Sequence, residues 1–236
     1  MPPDTPRSDA PRSGAPRFLR LRAVEQRFPG LDMPALAIAA LDIAAGEQVA
    51  VMGPSGSGKT TLINLLTGLE RVGQGSLIWG DTDLATLSEG ARDRWRAANV
   101  GLVMQDFHLF PGLSALENVL LPQRLARLVL PAGAQAEAGR LLARVGIERQ
   151  GQAIETMSRG QMQRVAVARA LAVRPAIIVA DEPTASLDAD SGAAVAQLLL
   201  ELAGESGATL LVATHDAALV ARLPRVLRLE SGRLKD

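Results

Sequence analysis

Apolar and polar residues alternate over Phe18-Leu19-Arg20-Leu21-Arg22-Ala23-Val24, the period of a strand with one covered face. The run ALAIAALDIAAGEQVAVMG continues in that manner, and its last five residues before Gly53 predict a buried strand. GPSGSGKTTLINLLTGL then reads as a glycine turn opening into a helix with an apolar stripe. GSLIWG predicts a short β segment between glycines. From Ser88 the spacing becomes helical, through EGARDRWRAANVG, SALENVLLPQRLARLVL and AGAQAEAGRLLARVGI. A further helix follows Gly160 in QMQRVAVARALAV. AIIVADE and TLLVATHD are near-continuous apolar runs with acidic or histidine ends, as in a parallel sheet covered on both faces. Open α/β sheets place their chemistry at those carboxyl ends.

These elements predict an α/β fold with a mostly parallel sheet and an antiparallel β part at the N-terminus. A helical subdomain at about 89–161 is expected as an insert in a core of 18–88 and 162–236. Residues 1–17 carry Pro2, Pro3, Pro6, Pro11 and Pro16 among Arg, Ser, Asp and Ala, with no apolar stretch after them. That composition predicts a disordered leader, not a secretory signal. No uninterrupted apolar run reaches the roughly 18–20 residues of a membrane-spanning helix. Membrane work is therefore expected to pass through a partner.

Composition narrows the function classes. Lys+Arg and Asp+Glu both number 25 in the 236 residues, so the formal net charge is zero. A balanced surface argues against nucleic acid as a partner. Without cysteine, disulfides, thiolate metal sites and cysteine nucleophiles are excluded, in keeping with a reducing cytoplasm.

Gly53-Pro54-Ser55-Gly56-Ser57-Gly58-Lys59-Thr60 matches G-x-x-x-x-G-K-[ST] between a predicted strand and helix, the context a phosphate-binding P-loop requires. Glycines let backbone N–H groups converge on phosphate oxygens, and the helix start adds a positive dipole end. Lys59 is the candidate for the β- and γ-phosphates of ATP, Thr60 for Mg²⁺, and Thr61 extends the cradle. Asp181 and Glu182 end an apolar strand: Asp181 is a candidate Mg²⁺ ligand, Glu182 a candidate general base.

A P-loop and an acidic strand tip are common to many NTPases. Met157-Ser158-Arg159-Gly160-Gln161-Met162-Gln163-Arg164, ahead of AIIVADEPTASLD, is more telling. It resembles the signature of the ABC ATPase family, usually written L-S-G-G-Q. In order, Gln105 in VGLVMQDF resembles that family's Q-loop, Ser186-Leu187-Asp188 its D-loop, and Thr214-His215-Asp216 its H-switch. The resemblance covers about residues 19–235 and implies a P-loop NTPase (RecA-like) core. It further implies a head-to-tail dimer in which each ATP lies between one P-loop and the partner's signature. On that basis Ser158, Gly160, Gln161 and Asp188 become nucleotide-binding candidates. Gln105 joins the catalytic, nucleotide and Mg²⁺ sets, and His215 the catalytic and γ-phosphate sets.

Two departures from the family pattern stand out. Arg159 occupies a position where glycine is usual; a left-handed backbone there would be strained, and a long cation along the nucleotide is expected to alter rate. The family commonly stacks adenine on a tyrosine before the P-loop, but this chain has no tyrosine, leaving Phe28 as candidate. His108 is expected to be structural or permease-facing, and Trp79 and Trp95 to be packing residues.

The segment from Gln105 to Val119, QDFHLFPGLSALENV, looks like the branch serving lipoprotein release, macrolide export and FtsE-type systems. It implies a separate integral membrane permease, contacted by Leu109, Phe110 and Leu113, and a place at the cytoplasmic face of the inner membrane. Small-solute import of the amino-acid type and control of cell-wall hydrolases stay open.

Overall fold

The computed structural model describes residues 18–127 and 129–235; the leader expected at 1–17 lies outside them. The chain opens with strands β1 (Leu19–Gln26), β2 (Leu36–Ile43) and β3 (Gln48–Met52), then helix α1 (Lys59–Leu66). After β4 (Gln74–Trp79) and β5 (Thr82–Asp83) come α2 (Glu89–Asn99), β6 (Val100–Val103), α3 (Ala115–Ala126), α4 (Ala134–Arg144) and α5 (Arg159–Leu171). The chain then runs through β7 (Ile177–Asp181), α6 (Ala189–Ser206), β8 (Thr209–Ala213), α7 (Ala217–Val220), β9 (Arg225–Glu230) and β10 (Arg233–Lys235).

Two sheets divide the strands. One is antiparallel in the order β2-β1-β4-β5; the other runs β10-β9-β3-β8-β7-β6 and is parallel except for the terminal β9–β10 hairpin. The expected α/β architecture is present.

Why the central strands are apolar throughout follows from their two faces. Ile177 and Val179 point into a core shared with Leu62, Leu66 and Trp79; Ile178 and Ala180 point into another with Val165 and Leu199. Strand β8 splits likewise, Leu211 and Ala213 against Leu210 and Val212. Each large side chain so buried contributes about 1.5–3 kcal/mol. A charge at Ile178, which is fully buried, would break the sheet beside the site. Trp79 is a packing residue, its indole N–H donating to the Leu66 carbonyl at 2.9 Å.

The range 89–161 is not wholly helical. Strand β6 lies inside it and pairs in parallel with β7, Val100 opposite Ile177, so it belongs to the large sheet. Its four residues, Val-Gly-Leu-Val, are too few to display a period. A Cβ at Gly101 would come within 2.4 Å of the Ala170 carbonyl oxygen, so this strand packs backbone-close on α5. Beyond it, α3 begins with a capping box between Ser114 and Glu117.

Candidate active site

The site grows from the step between β3 and α1. Gly58 caps α1 at φ 102°, a left-handed conformation, and gives no side-chain cap to the helix. A Cβ there would sit 2.7 Å from the Ala35 carbonyl oxygen, so only glycine fits without displacement. The first-turn N–H groups of α1 are left to be satisfied from outside the helix. Lys59 folds over the loop, its Nζ donating to the carbonyls of Gly53 at 2.7 Å and Pro54 at 3.1 Å. An ammonium has three donors, so one remains.

Strand β7 delivers the carboxylates opposite. Burial raises the Asp181 carboxyl above the usual aspartate range; the charge of Glu182 pushes the same way and Lys59 opposes both. Glu182 takes φ 45°, a left-handed conformation costing on the order of 1–3 kcal/mol. Neighbours hold it there: its N–H donates to the Ala213 carbonyl at 2.8 Å, and its carbonyl accepts from the Ala185 N–H at 3.2 Å. His215, just past β8, places Nδ1 2.9 Å from Glu182 Oε1. The carboxylate is 15% exposed and the imidazole 74%, so the histidine faces outward while the acid is shielded.

These groups share one cleft of about 1050 Å³. It is lined by Gly53, Pro54, Ser55, Gly56, Gly58, Lys59, Thr60 and Thr61, with Gln105, Asp181, Glu182 and His215. Ser57 does not line it: its side chain is buried, and its carbonyl accepts from the Gly232 N–H at 2.9 Å. Nor does Phe28, whose carbonyl accepts from the Leu31 N–H at 3.3 Å in a turn that half-buries its ring. The following loop does line the cleft, from Leu31 to Ala35, with Leu31 and Met33 largely exposed.

The ABC transporter family model matches residues 36–185. The chain belongs to the ABC transporter family. The lipoprotein-releasing system ATP-binding protein LolD of Idiomarina loihiensis is 44% identical over 189 residues, 80% of this chain and 82% of that protein. An uncharacterised ABC transporter ATP-binding protein of Mycobacterium tuberculosis is 42% identical over 190 residues, 80% and 76% of the two chains. Among solved structures, the dimeric post-hydrolysis state of the ATP-binding cassette MJ0796 bound to ADP and Pi superposes with a TM-score of 0.83. It is 34% identical, covering 92% of this chain and 97% of that one. The cbiO1 protein of Clostridium perfringens, part of the complex cbiONQ, gives 0.82 at 28% identity, over 93% and 87%. This chain is thus an ABC ATPase: it binds nucleotide and hydrolyses ATP.

The signature of this ABC ATPase lies apart from the cleft. Ser158 caps α5 and closes a capping box, its Oγ accepting from the Gln161 N–H at 3.2 Å while Gln161 Oε1 accepts from the Ser158 N–H at 2.9 Å. Ser158, Gly160, Gln161 and Asp188 are not among the cleft-lining residues. Asp188 caps α6 through the Ser191 N–H at 2.9 Å. Arg159 is the first residue of α5 with an ordinary helical backbone, so the expected φ strain is absent. Its guanidinium lies on its own chain, against Ser186 and Phe107.

Three site features escaped the sequence reading. Gln163, fully buried, donates from Nε2 to the Pro183 carbonyl at 2.8 Å, next to the strained Glu182, while its Oε1 has no partner. Its signal was a polar residue on the apolar stripe shared with Val167 and Ala170. The Leu31–Ala35 loop and the Ser231–Gly232 hairpin turn also line the cleft. No short motif marks either.

Proposed function

We propose that this ATPase is the energy-supplying subunit of a lipoprotein-releasing type of transporter, acting as a head-to-tail dimer on a separate permease at the inner face of the membrane. What carries the dimer is the separation of Ser158, Gly160 and Gln161 from the cleft holding Lys59 and Glu182. A second helix start able to meet an anion, outside that cleft, fits a nucleotide held by another chain. The lipoprotein cargo rests on the identity with LolD and on the QDFHLFPGLSALENV segment. Among the described residues no helix is long and apolar enough to cross a membrane, which supports a separate permease.

In this reading Lys59, with a donor to spare, binds the β- and γ-phosphates. The donor set suits Mg²⁺: Thr60 and Asp181 are few ligands, as this ion prefers when phosphate oxygens and water complete its shell. Burial and then the neighbouring Glu182 raise the Asp181 carboxyl against the opposing pull of Lys59, and a cation at this pair of acids would be favoured. Gln105 completes the set from the loop after β6. A Mg²⁺ ion held by these residues would supply charge neutralisation at the phosphates. Glu182, shielded and held at a fixed angle, accepts the proton of the attacking water. His215 orients that carboxylate through Nδ1 and reaches the γ-phosphate from its exposed edge.

Phe110 is the proposed permease contact. It is 53% exposed, whereas Leu109 packs against the core and Leu113 is half-buried, so the apolar patch expected of all three reduces mainly to one ring. Asn118, fully buried, holds the backbone beneath it, donating to the Phe110 carbonyl at 3.1 Å and accepting from its N–H at 2.7 Å. Truncating an apolar anchor of this kind costs about 2 kcal/mol of binding or more. Phe110→Asp should lose the permease in a pull-down while the free subunit keeps its melting temperature and basal hydrolysis. A permease still bound, or a chain unfolded by the change, would remove Phe110 from this role.

A further inference from the structure

Three segments meet beside the cleft, and one side chain on the third touches the other two. Arg159 Nε, at the start of α5, donates to the Ser186 carbonyl at 2.9 Å. Its guanidinium carbon stands 5.1 Å from the centre of the Phe107 ring, within the range of a cation–π contact. Phe107 is itself 6% exposed, two residues beyond Gln105. Ser186 closes the circuit, its Oγ donating to the Gln105 carbonyl at 3.3 Å.

The loop thus gripped is strained. Phe107 and His108 take φ 56° and 46°, successive left-handed residues that are not glycine. Such a turn persists only where the surroundings over-determine it. Helix α5 supplies the restraint at both ends: Arg159 covers the ring, and Arg169 donates to the Phe107 carbonyl at 2.7 Å and to the His108 carbonyl. Arg159 itself does not line the nucleotide cleft; Gln105 does.

We infer that Arg159 is a positioning residue that locks the loop carrying Gln105 to the segment leading into Asp188, so that both follow the start of α5 as one body. It acts on the reaction through Phe107 and Ser186, not by lying along a nucleotide. Planarity matters as much as charge, because the same group donates in its plane and stacks on its face. Lysine satisfies one of these contacts at most. This inference rests on the assignment of Gln105 to the nucleotide site.

The test is a double-mutant cycle on the full-length ATPase, reading kcat and KM for ATP together with hydrogen exchange at the Phe107 and His108 amides. Arg159→Ala should lower kcat about ten-fold with KM for ATP changed less than about two-fold, the pattern of lost positioning. Exchange at the two amides should quicken, and Arg159→Lys should recover only part of kcat. Phe107→Leu conserves volume, and combined with Arg159→Ala it should be no worse than the stronger single change. Additive effects, a full recovery by lysine, or a raised KM with unchanged kcat would overturn the inference in favour of direct contact with nucleotide. Should Phe107→Leu fail to fold, unchanged amide exchange in Arg159→Ala overturns it alone. Gln105→Ala separates the two levels: if hydrolysis survives that change, the site assignment fails. If Gln105→Ala lowers hydrolysis and Arg159→Ala does not, only the lock fails.

Discussion

Helices α1 and α5 both begin beside residues expected to meet a nucleotide, yet their first turns are finished in opposite ways. Helix α1 starts at a glycine that caps nothing, so its leading N–H groups have no side-chain partner. Helix α5 starts at a serine whose capping box with Gln161 satisfies two donors reciprocally. The first leaves donors open to a ligand or water; the second is satisfied within its own chain. A serine hydroxyl that already accepts one bond keeps its own proton to donate. In the proposed dimer the P-loop start is the anchor, and the signature start a contact added by the partner chain once a nucleotide is held. That asymmetry suits a site shared between two chains.

Attacking the anchor side should cost most. Glu182→Gln preserves size and polarity but removes the base, so hydrolysis should fall roughly 10²- to 10⁴-fold while ATP still binds. Hydrolysis at the parental rate would take Glu182 out of that role.

Asp181→Asn separates the needs of catalysis from those of folding. Burial and the neighbouring Glu182 raise the Asp181 carboxyl. Its folded form then takes up a proton more readily than its unfolded form, near pH 3.9. The group stabilises the fold below that pH, and the benefit is lost as pH climbs through the raised folded value. At neutral pH it is a standing cost. In metal-free buffer at pH 7 Asp181→Asn should melt no lower than the parent, and any gain should shrink as the pH falls, while with Mg²⁺ supplied its hydrolysis should be lost. A clear drop in melting temperature would mean that Asp181 supports the fold instead.

Ser158→Ala should do least to a single chain. Losing the cap removes about 1 kcal/mol of stability, and nucleotide affinity of the isolated subunit should stay unchanged because Ser158 does not line its cleft. Hydrolysis, which in the proposed dimer uses the shared site, should drop. Weakened binding in a monomeric sample would place Ser158 in the site of its own chain.

What was legible in the sequence follows the same division. The P-loop, Asp181, Glu182 and His215 were readable because each sits where an apolar run meets a turn, and the backbone alone brings those ends together. Phe28 sits in a loop that carries no period, and after the Phe28–Leu31 turn it is Leu31 to Ala35 that line the cleft. Ser57 lay within a matched motif, yet its neighbour Gly232 comes from a hairpin 175 residues later, a contact that no local pattern records. Strand β6 was lost for brevity. Arg159 was read against the glycine usual at its position, whereas its backbone is ordinary and its partners, Phe107 and Ser186, lie 52 residues before and 27 residues after it.

In the proposed dimer one catalytic site takes its anchor from one chain and its signature from the other. Mixing a Lys59→Ala chain with a Ser158→Arg chain tests it directly. Each homodimer has two damaged sites, whereas the heterodimer pairs one doubly damaged site with one that is intact. ATP hydrolysis of the mixture should therefore exceed that of either variant alone and peak near equal proportions. Heterodimers shown to form, with hydrolysis no higher than the variants alone at every ratio, would contradict the shared site.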